Sequence, residues 1–258
     1  MRFLTTIEAR FDSTRLPGKV IYPLSAKKTL LDILIHRIKK SKNINKIILA
    51  TSKNNNNNEI VKVAKKNKIF FYRGSEKNVL ERLVKATRQF KEEYIIQLTA
   101  DNPLIDFRII DYVASFFKKN YKNYDFVTNN NLFNKKKLFV PNGMIVSIFK
   151  KDKLAEALSY QKKHKKKDLA EHPTLYFYRD GIKKINSINL QMPRKWTILP
   201  KARLTVDTHE DFFLISKIYH QLKNIKNFSL VQILKYLMNN RELLYINQHI
   251  IQKKPTKL

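Results

Sequence analysis

The segment "FLTTIEARFDSTRLPGKV", residues Phe3–Val20, opens the fold. Its first residues, Phe3–Ile7, form a short apolar run that is typical of a buried strand, and polar residues follow at once. Pro17-Gly18 is a turn pair, because proline presets one backbone angle and glycine tolerates the reversal of the chain. This order of an apolar strand and a long polar loop predicts the first unit of an α/β domain.

Strands and helices alternate through the rest of the first half. Further β-rich runs are Lys46–Thr51, Ile69–Tyr72 and Tyr94–Thr99, and helical patterns lie at Leu30–Lys40, Glu59–Asn67, Val79–Phe90 and Phe107–Asn120. The strands are almost wholly apolar, which favours a mostly parallel sheet with helices on both faces. We therefore predict an α/β fold, in which ligands bind beyond the carboxyl ends of the strands.

The second half of the chain is less regular. Strand-like runs "YDFVTNN", "NGMIVSIF" and "GIKKINSINL" accompany helical patterns at Lys151–Tyr160, Leu169–Arg179, Glu210–His220 and Leu230–Asn239. No repeat and no Gly/Ser-rich linker divides the sequence. We predict one domain over 1–258, in which residues 130–200 form a smaller lobe and residues 248–258 form a basic tail.

The composition excludes several classes of protein. A hydrophobic content of 43% over 258 residues supports a packed core, and the absence of cysteine excludes disulfides and fits a reducing, cytoplasmic location. No apolar run is long enough to span a membrane. The formal charge of +31 comes mostly from lysines spread along the chain, which is typical of solvated faces, although nucleic-acid binding is the alternative.

The loop after the first strand carries three cations, Arg10, Arg15 and Lys19. It is not a P-loop, because Ser13 and Val20 stand where that motif needs Gly and Ser or Thr. The arginines can bind phosphate oxygens through two N–H groups, and the lysine provides a point charge. The pattern therefore indicates a phosphate-binding loop of another type, with an exposed basic loop as the alternative.

Two aspartates are expected at the same edge of the sheet. Asp101 follows the strand that ends at Thr99, and Asp207 follows the strand-like "RLTV" and precedes a helix. Carboxylates opposite a cationic loop suit Mg²⁺ that also contacts phosphates. An aspartate in "DNP" can equally close a local turn, which is the alternative for Asp101.

Five segments in the same order resemble a known family. They are "ARFDSTRLPGKV", "FYRGSEKNVLERL", "LTADNPLID", "EHPTLYFY" and "RLTVDTHEDFFLI". Together they resemble the cytidylyltransferase family that includes spore-coat polysaccharide protein F, the CMP-Kdo synthetases and the acylneuraminate cytidylyltransferases. The resemblance is nearest to the spore-coat branch and extends from Phe3 to about His249.

The resemblance implies a three-layer αβα nucleotidyltransferase fold, CTP and Mg²⁺ as ligands, and a homodimer formed partly by the smaller lobe. The residues implied to bind the nucleotide are Ala9, Arg10, Ser13, Arg15, Lys19, Arg73, Gly74, Thr99 and Asp101. Those implied to act in catalysis are Arg10, Lys19, Asp101 and Asp207, with Asp101 and Asp207 as metal ligands. The acceptor side is expected to include Asn142, Glu171 and His172, although packing is the ordinary role for a histidine such as His172.

The sequence also departs from this family at several positions. Family members usually carry Gln where this chain has Glu8, and Gly where it has Ala100. Asn142, Ile145 and Ser147 replace three acids of the lobe that contacts the acceptor. A change of acceptor, or a loss of catalysis with nucleotide binding retained, would account for these replacements.

The resemblance predicts transfer of CMP from CTP to a sugar, with release of pyrophosphate, for surface polysaccharide biosynthesis. The acceptor is expected to be an ulosonic acid or another polysaccharide precursor. A basic nucleic-acid-binding or nucleotide-binding protein without catalysis, on the same scaffold, is the alternative. A glycosyltransferase is disfavoured, because no D-x-D triplet follows an early strand.

Overall fold

The computed structural model describes residues 1–130, 139–181 and 183–252. Within them the strands are β1 (Phe3–Glu8), β2 (Pro23–Ser25), β3 (Lys28–Thr29), β4 (Ile44–Ser52), β5 (Phe70–Gly74), β6 (Tyr94–Thr99), β7 (Phe126–Thr128), β8 (Ser147–Lys150) and β9 (Ser187–Asn189). The helices are α1 (Leu30–Ile38), α2 (Asn58–Lys66), α3 (Val79–Arg88), α4 (Phe107–Asn120), α5 (Lys151–Lys163), α6 (Lys167–Glu171), α7 (His209–Leu222) and α8 (Leu230–Asn239).

A seven-stranded sheet in the order β5-β4-β1-β6-β8-β7-β9 forms the centre of the described protein. β1 pairs in parallel with both β4 and β6, and β4 pairs in parallel with β5. β8 runs antiparallel to both of its neighbours, and β9 pairs in parallel with β7. The prediction of a mostly parallel sheet is therefore confirmed, with the antiparallel strand in the second half.

Helices cover both faces of this sheet, so the fold has three layers. Successive side chains of a strand point to opposite faces of the sheet. In β1, Ile7 packs into the hydrophobic core on one face and Leu4 packs into the core on the other. The first core receives α1, α2, α4, α7 and α8, and the second receives α3, α5 and α6. This confirms the α/β fold that the sequence predicted, with the three layers that the family resemblance implies.

Local capping signals explain where several helices begin. Thr29 and Asp32 form a capping box at α1, and Thr208 and Asp211 form another at α7. In each box the threonine hydroxyl accepts a hydrogen bond from a backbone N–H of the first turn, and the aspartate accepts one from the backbone N–H of the threonine. These N–H groups have no partner within the helix, so the box supplies their acceptors.

The helix predicted over Leu169–Arg179 is interrupted, and that prediction was wrong in extent. α6 ends at Glu171, and a separate π-helical turn covers Tyr176–Asp180. Pro173 explains the interruption, because proline lacks an N–H and drives the preceding residue out of helical geometry. His172 accordingly has φ −121° and ψ 81°.

Parts of the predicted lobe and tail, residues 131–138, 182 and 253–258, lie outside the described residues. The division into a main body and a smaller lobe stays a prediction. No helix in the described ranges combines the length and the apolar character needed to cross a membrane.

Candidate active site

The candidate site lies at the carboxyl ends of β1 and β6. Glu8 and Thr99, the last residues of these two strands, are partners in the sheet register. In the sheet β4 lies on one side of β1 and β6 lies on the other. The chain that leaves β1 leads to β4, away from β6, so the connections from β1 and β6 diverge at this point. A parallel sheet leaves a crevice where its connections diverge, and ligands bind in it.

The cationic loop is closed by its own backbone and pinned by one asparagine. The Gly18 N–H donates to the Phe11 carbonyl at 2.8 Å, and Gly18 has φ +70°, a conformation that glycine adopts without strain. Asn57 is fully buried, and its Oδ1 accepts from the Phe11 N–H and from the Thr51 hydroxyl, both at 2.9 Å. Asn57 belongs to the run of five asparagines Asn54–Asn58. This member of the run therefore anchors the cationic loop.

Lys19 connects both predicted aspartates. Its Nζ lies 2.7 Å from Asp207 Oδ1 and 3.6 Å from Asp101 Oδ2, and it donates to the Val206 carbonyl at 2.6 Å. Asp101 Oδ1 accepts from the Thr99 hydroxyl at 2.5 Å. The structure thus brings together the cation and the two acids that the sequence singled out from distant segments.

Two arginines complete the surroundings of Asp207. Arg15 Nη2 lies 2.8 Å and Arg203 Nη2 lies 2.7 Å from Asp207 Oδ2. Burial acts to raise the pKa of Asp207, but Lys19, Arg15 and Arg203 outweigh burial, so its pKa lies below the ordinary value. Asp207 is consequently ionised at neutral pH and holds three cations at one end of the cleft.

Arg10 points to a different part of the same cleft. Its Nη2 lies 3.5 Å from Glu171 Oε1, and its Nη1 lies 3.9 Å from Glu76 Oε1. His172, beside Glu171, is exposed and lines the cleft, so it is not buried in a packed core. The desolvation it does experience lowers its pKa against the opposite effect of Glu171 and Asp168, which favours a neutral imidazole.

The cleft has a volume of about 540 Å³. The predicted residues that line it are Ala9, Arg10, Ser13, Arg15, Lys19, Thr99, Asp101, Glu171, His172 and Asp207. Thr14, Val79, Arg82 and Gln252 also line it. A volume of this size accommodates a ligand of nucleotide dimensions.

Arg73 and Gly74 are not among the lining residues. Arg73 donates to the carbonyls of Ser52, Lys53 and Asn54, at 2.8 to 3.2 Å, and so braces the loop after β4. Gly74 packs tightly, since a Cβ there would lie 2.7 Å from the Tyr72 ring. Their assignment to the nucleotide stays a prediction, and the structure gives both a local structural role.

Asn142 reaches the cleft edge through a neighbour. It forms a β-bridge with Arg203, and its Nδ2 donates to Gln252 Oε1 at 2.7 Å. The same oxygen of Gln252, which lines the cleft, accepts from Arg203 Nη1. The segment before the C-terminus therefore joins the predicted acceptor side to the aspartate cluster.

The sequence analysis missed the residues that support Asp207. Arg203 Nε donates to Asp211 Oδ1 at 2.8 Å, and Asn247 Nδ2 donates to the same oxygen at 2.7 Å. Arg203 and Asp211 both lie in the quoted "RLTVDTHEDF", so the i, i+8 pair of opposite charges was visible, but its role was not. Asn247 carries no local signal.

The chain is similar over most of its length to proteins of one family. The family profile described as Cytidylyltransferase matches residues 4–250. The spore coat polysaccharide biosynthesis protein SpsF of Bacillus subtilis is 31% identical over 241 residues, covering 92% of this chain and 94% of its own. A 3-deoxy-manno-octulosonate cytidylyltransferase of Fusobacterium nucleatum is 27% identical over 184 residues, covering 69% of this chain and 74% of its own.

A solved structure described as a cytidylyltransferase, from Leptospira borgpetersenii, superposes with a TM-score of 0.82 at 27% identity. The match covers 98% of this chain and 100% of that one. The family profile spans nearly the whole sequence, and the relatives include two of the three groups that the five segments indicated. The chain therefore belongs to the cytidylyltransferase family.

Proposed function

We propose that the protein transfers CMP from CTP to a sugar, with release of pyrophosphate, in surface polysaccharide biosynthesis. The observation that carries this proposal is the convergence of Arg15 and Lys19 with Asp101 and Asp207 in one cleft. Family membership supports the cytidylyl group, and the polysaccharide role rests on the name of the Bacillus relative.

The cationic end of the cleft suits the triphosphate. Arg15 and Lys19 are three-quarters or more buried, so their charges are poorly screened by water. Ser13 and Thr14 line the same end and offer hydroxyl donors. In the transfer, the acceptor oxygen forms a bond to the α-phosphorus while the bond to the departing pyrophosphate breaks. Fixed cations here stabilise the charge that accumulates on those phosphate oxygens.

Asp101 and Asp207 form a donor set that fits Mg²⁺. Both carboxylates already share one cationic partner, Lys19, so they approach each other closely enough to serve a common cation. Within the described ranges, no group of three or more histidine, cysteine or acidic side chains is placed so that it could hold a metal ion. Two protein oxygens suffice for Mg²⁺, which completes its shell with phosphate oxygens and water, and when bound it supplies charge stabilisation to the phosphates.

The acceptor would enter from the side of Asn142, Glu171 and His172. Glu171 and His172 line the cleft directly, and Asn142 acts through Gln252. Amide and imidazole groups can hydrogen-bond to sugar hydroxyls. Since Asn142, Ile145 and Ser147 stand where the family resemblance implies acids, we expect this side to carry fewer negative charges than in its relatives.

A pyrophosphate-release assay tests the proposal. CTP, Mg²⁺ and a panel of sugar acids and other polysaccharide precursors would be mixed with the protein, and a productive acceptor is expected to yield pyrophosphate and a CMP-sugar in equal amounts. Asp101→Asn should reduce kcat/KM about a hundredfold or more. Asp152→Asn, on an exposed helix start away from the cleft, is the matched control. Wild-type turnover in Asp101→Asn would contradict the assignment of Asp101.

The +31 charge favours one second candidate, a nucleic-acid binder without catalysis. Nucleic-acid affinity and the thermal shift with CTP distinguish the two functions. Nucleic-acid affinity that falls steeply with salt, together with no thermal shift on addition of CTP and Mg²⁺, would favour the binder.

We also propose that the protein forms a homodimer. Light scattering at several protein concentrations would measure its mass in solution.

A further inference from the structure

A second polar cluster lies on the wall of the cleft, beside the strand end that leads to Asp101. It consists of Glu8 at the end of β1, Gln97 on β6 and Arg82 on α3. Gln97 Nε2 donates to Glu8 Oε1, and Glu8 and Arg82 both line the cleft beside Val79. We call these three polar residues the wall cluster.

Polar atoms of the wall cluster are left unpaired. Arg82 is only 2% exposed, and its Nη1 donates to the Ser75 carbonyl at 2.5 Å, yet its Nε has no hydrogen-bond partner among the described residues. Gln97 Oε1 is buried and also lacks a partner there. An unpaired buried donor is costly, so such a group at a cleft wall indicates an acceptor supplied by a ligand.

Glu8 can exist in either ionisation state near neutral pH. Desolvation raises its pKa to about 7, against the lowering effects of the Gln97 hydrogen bond and of Arg82, while Asp101 raises it further. On the other flank its sheet partner is the uncharged Ala50. The other ionisable groups that line the cleft are Arg10, Arg15, Lys19, Glu171, His172 and Asp207.

We propose that Glu8 and Arg82 read the edge of the nucleotide base and select cytosine over uracil. This inference rests on the proposed function and goes further, because it names the residues that choose the nucleotide. Cytosine presents an amino donor next to a ring-nitrogen acceptor. An ionised Glu8 accepts from that amino group, and Arg82 Nε donates to the adjacent acceptor, so the unpaired donor of the wall cluster finds its complement. Val79 offers an apolar surface against which a flat ring can pack.

Uracil presents the opposite pattern, a carbonyl where cytosine has its amino group. That carbonyl faces an ionised Glu8 without a proton between them, which is repulsive. A protonated Glu8 donates to the carbonyl through one oxygen while its other oxygen still accepts from Gln97 Nε2. Uracil N3–H faces the Arg82 Nε donor at any pH, and this second penalty does not change with the ionisation of Glu8. The preference for CTP over UTP therefore grows as the pH rises through 7.

Isothermal titration of CTP and UTP with Mg²⁺ present, between pH 6 and 8, tests this inference without an acceptor. The ratio of the two Kd values is the readout, since the shared triphosphate contributes equally to both and cancels. The ratio is expected to rise about tenfold over this interval in the wild type. In Glu8→Gln the ratio should not change with pH, because a neutral amide can present either its oxygen or its NH₂, and the discrimination that remains comes from Arg82. Glu59→Gln, an exposed acid paired only with Lys62, is the charge control.

Proton exchange gives a second readout. At pH 7, where Glu8 is about half protonated, binding of CTP should release part of a proton from Glu8 and binding of UTP should add part of one. Proton uptake should therefore differ by up to about one proton between UTP and CTP, as measured in buffers of different ionisation enthalpy, since protons exchanged by the shared triphosphate cancel in this difference. A pH-independent ratio in the wild type, or a Glu8→Gln variant with unchanged discrimination, would overturn the role of Glu8 while leaving the proposed function intact. Absence of binding by either nucleotide would overturn both.

Discussion

Lys19 Nζ lies 2.7 Å from Asp207 Oδ1, although 188 residues separate them in the chain. Both side chains are about 10% exposed, so water screens this pair little. The contact joins the cationic loop after β1 to the start of α7, and thereby closes one end of the cleft. A phosphate chain that enters here meets cations whose positions are set by Asp207.

Lys19 and Asp207 are expected to be energetically coupled. In a double-mutant cycle of Lys19→Met, Asp207→Asn and the pair, each single change leaves buried charge without its partner, so the double variant should lose less than the sum. We expect a coupling of about 1–2 kcal/mol, limited because Arg15 and Arg203 still contact Asp207. Urea unfolding at neutral pH measures it. A coupling near zero would mean that the contact contributes nothing to folding.

Asp207 should also determine part of the acid sensitivity. Its pKa is lowered in the folded protein, so it stabilises the fold above its ordinary value of 3.8, and this contribution is lost as the pH falls through the folded pKa. Relative to Asp207→Asn, the wild type should be more stable at pH 6 and should approach the variant below pH 4. Denaturant unfolding at pH 6, 5, 4 and 3 follows this. A constant difference across the series would contradict it.

Asn57 and Asn55 offer a matched pair within one run of asparagines. Asn57→Ala removes a fully buried amide that accepts from Phe11 N and Thr51 Oγ1, and we expect a loss of about 2–3 kcal/mol with weaker binding of CTP. Asn55 is exposed, and Asn55→Ala should change stability by less than about 0.5 kcal/mol. Thermal unfolding and CTP titration of both variants decide this, and equal effects would show that Asn57 does not anchor the loop.

Asn247 should matter in the same way for the C-terminal segment. Its Nδ2 donates to Asp211 Oδ1 at 2.7 Å and to the Arg203 carbonyl at 3.1 Å, and the residue is 2% exposed. We expect Asn247→Ala to cost about 1–3 kcal/mol and to raise KM for the acceptor more than the Kd of CTP, because Gln252 follows it. Asn239→Ala, at an exposed position near the end of α8, is the control. An unchanged KM for the acceptor would show that this segment does not contribute to acceptor binding.

Local patterns predicted most of the elements that build the sheet and its helices. The apolar runs at Phe3–Ile7 and Tyr94–Thr99 became β1 and β6 within one residue, because strand formation there follows from burial on both faces. β8 lies largely within the predicted strand "NGMIVSIF", but its antiparallel direction and the short β2–β3 hairpin were not predicted. Their pairing depends on neighbours that are distant in the sequence.

By itself the sequence determined the α/β fold, the cationic loop and the two aspartates, since these depend on residue type, short-range periodicity and position at strand ends. Only the tertiary structure decided which charges meet. Arg203 supports Asp207, Arg73 turns to backbone carbonyls, and Glu8 is held against Gln97 on the cleft wall. The physical reason is that an ion pair or a shifted pKa depends on distances and burial, and long-range packing sets both.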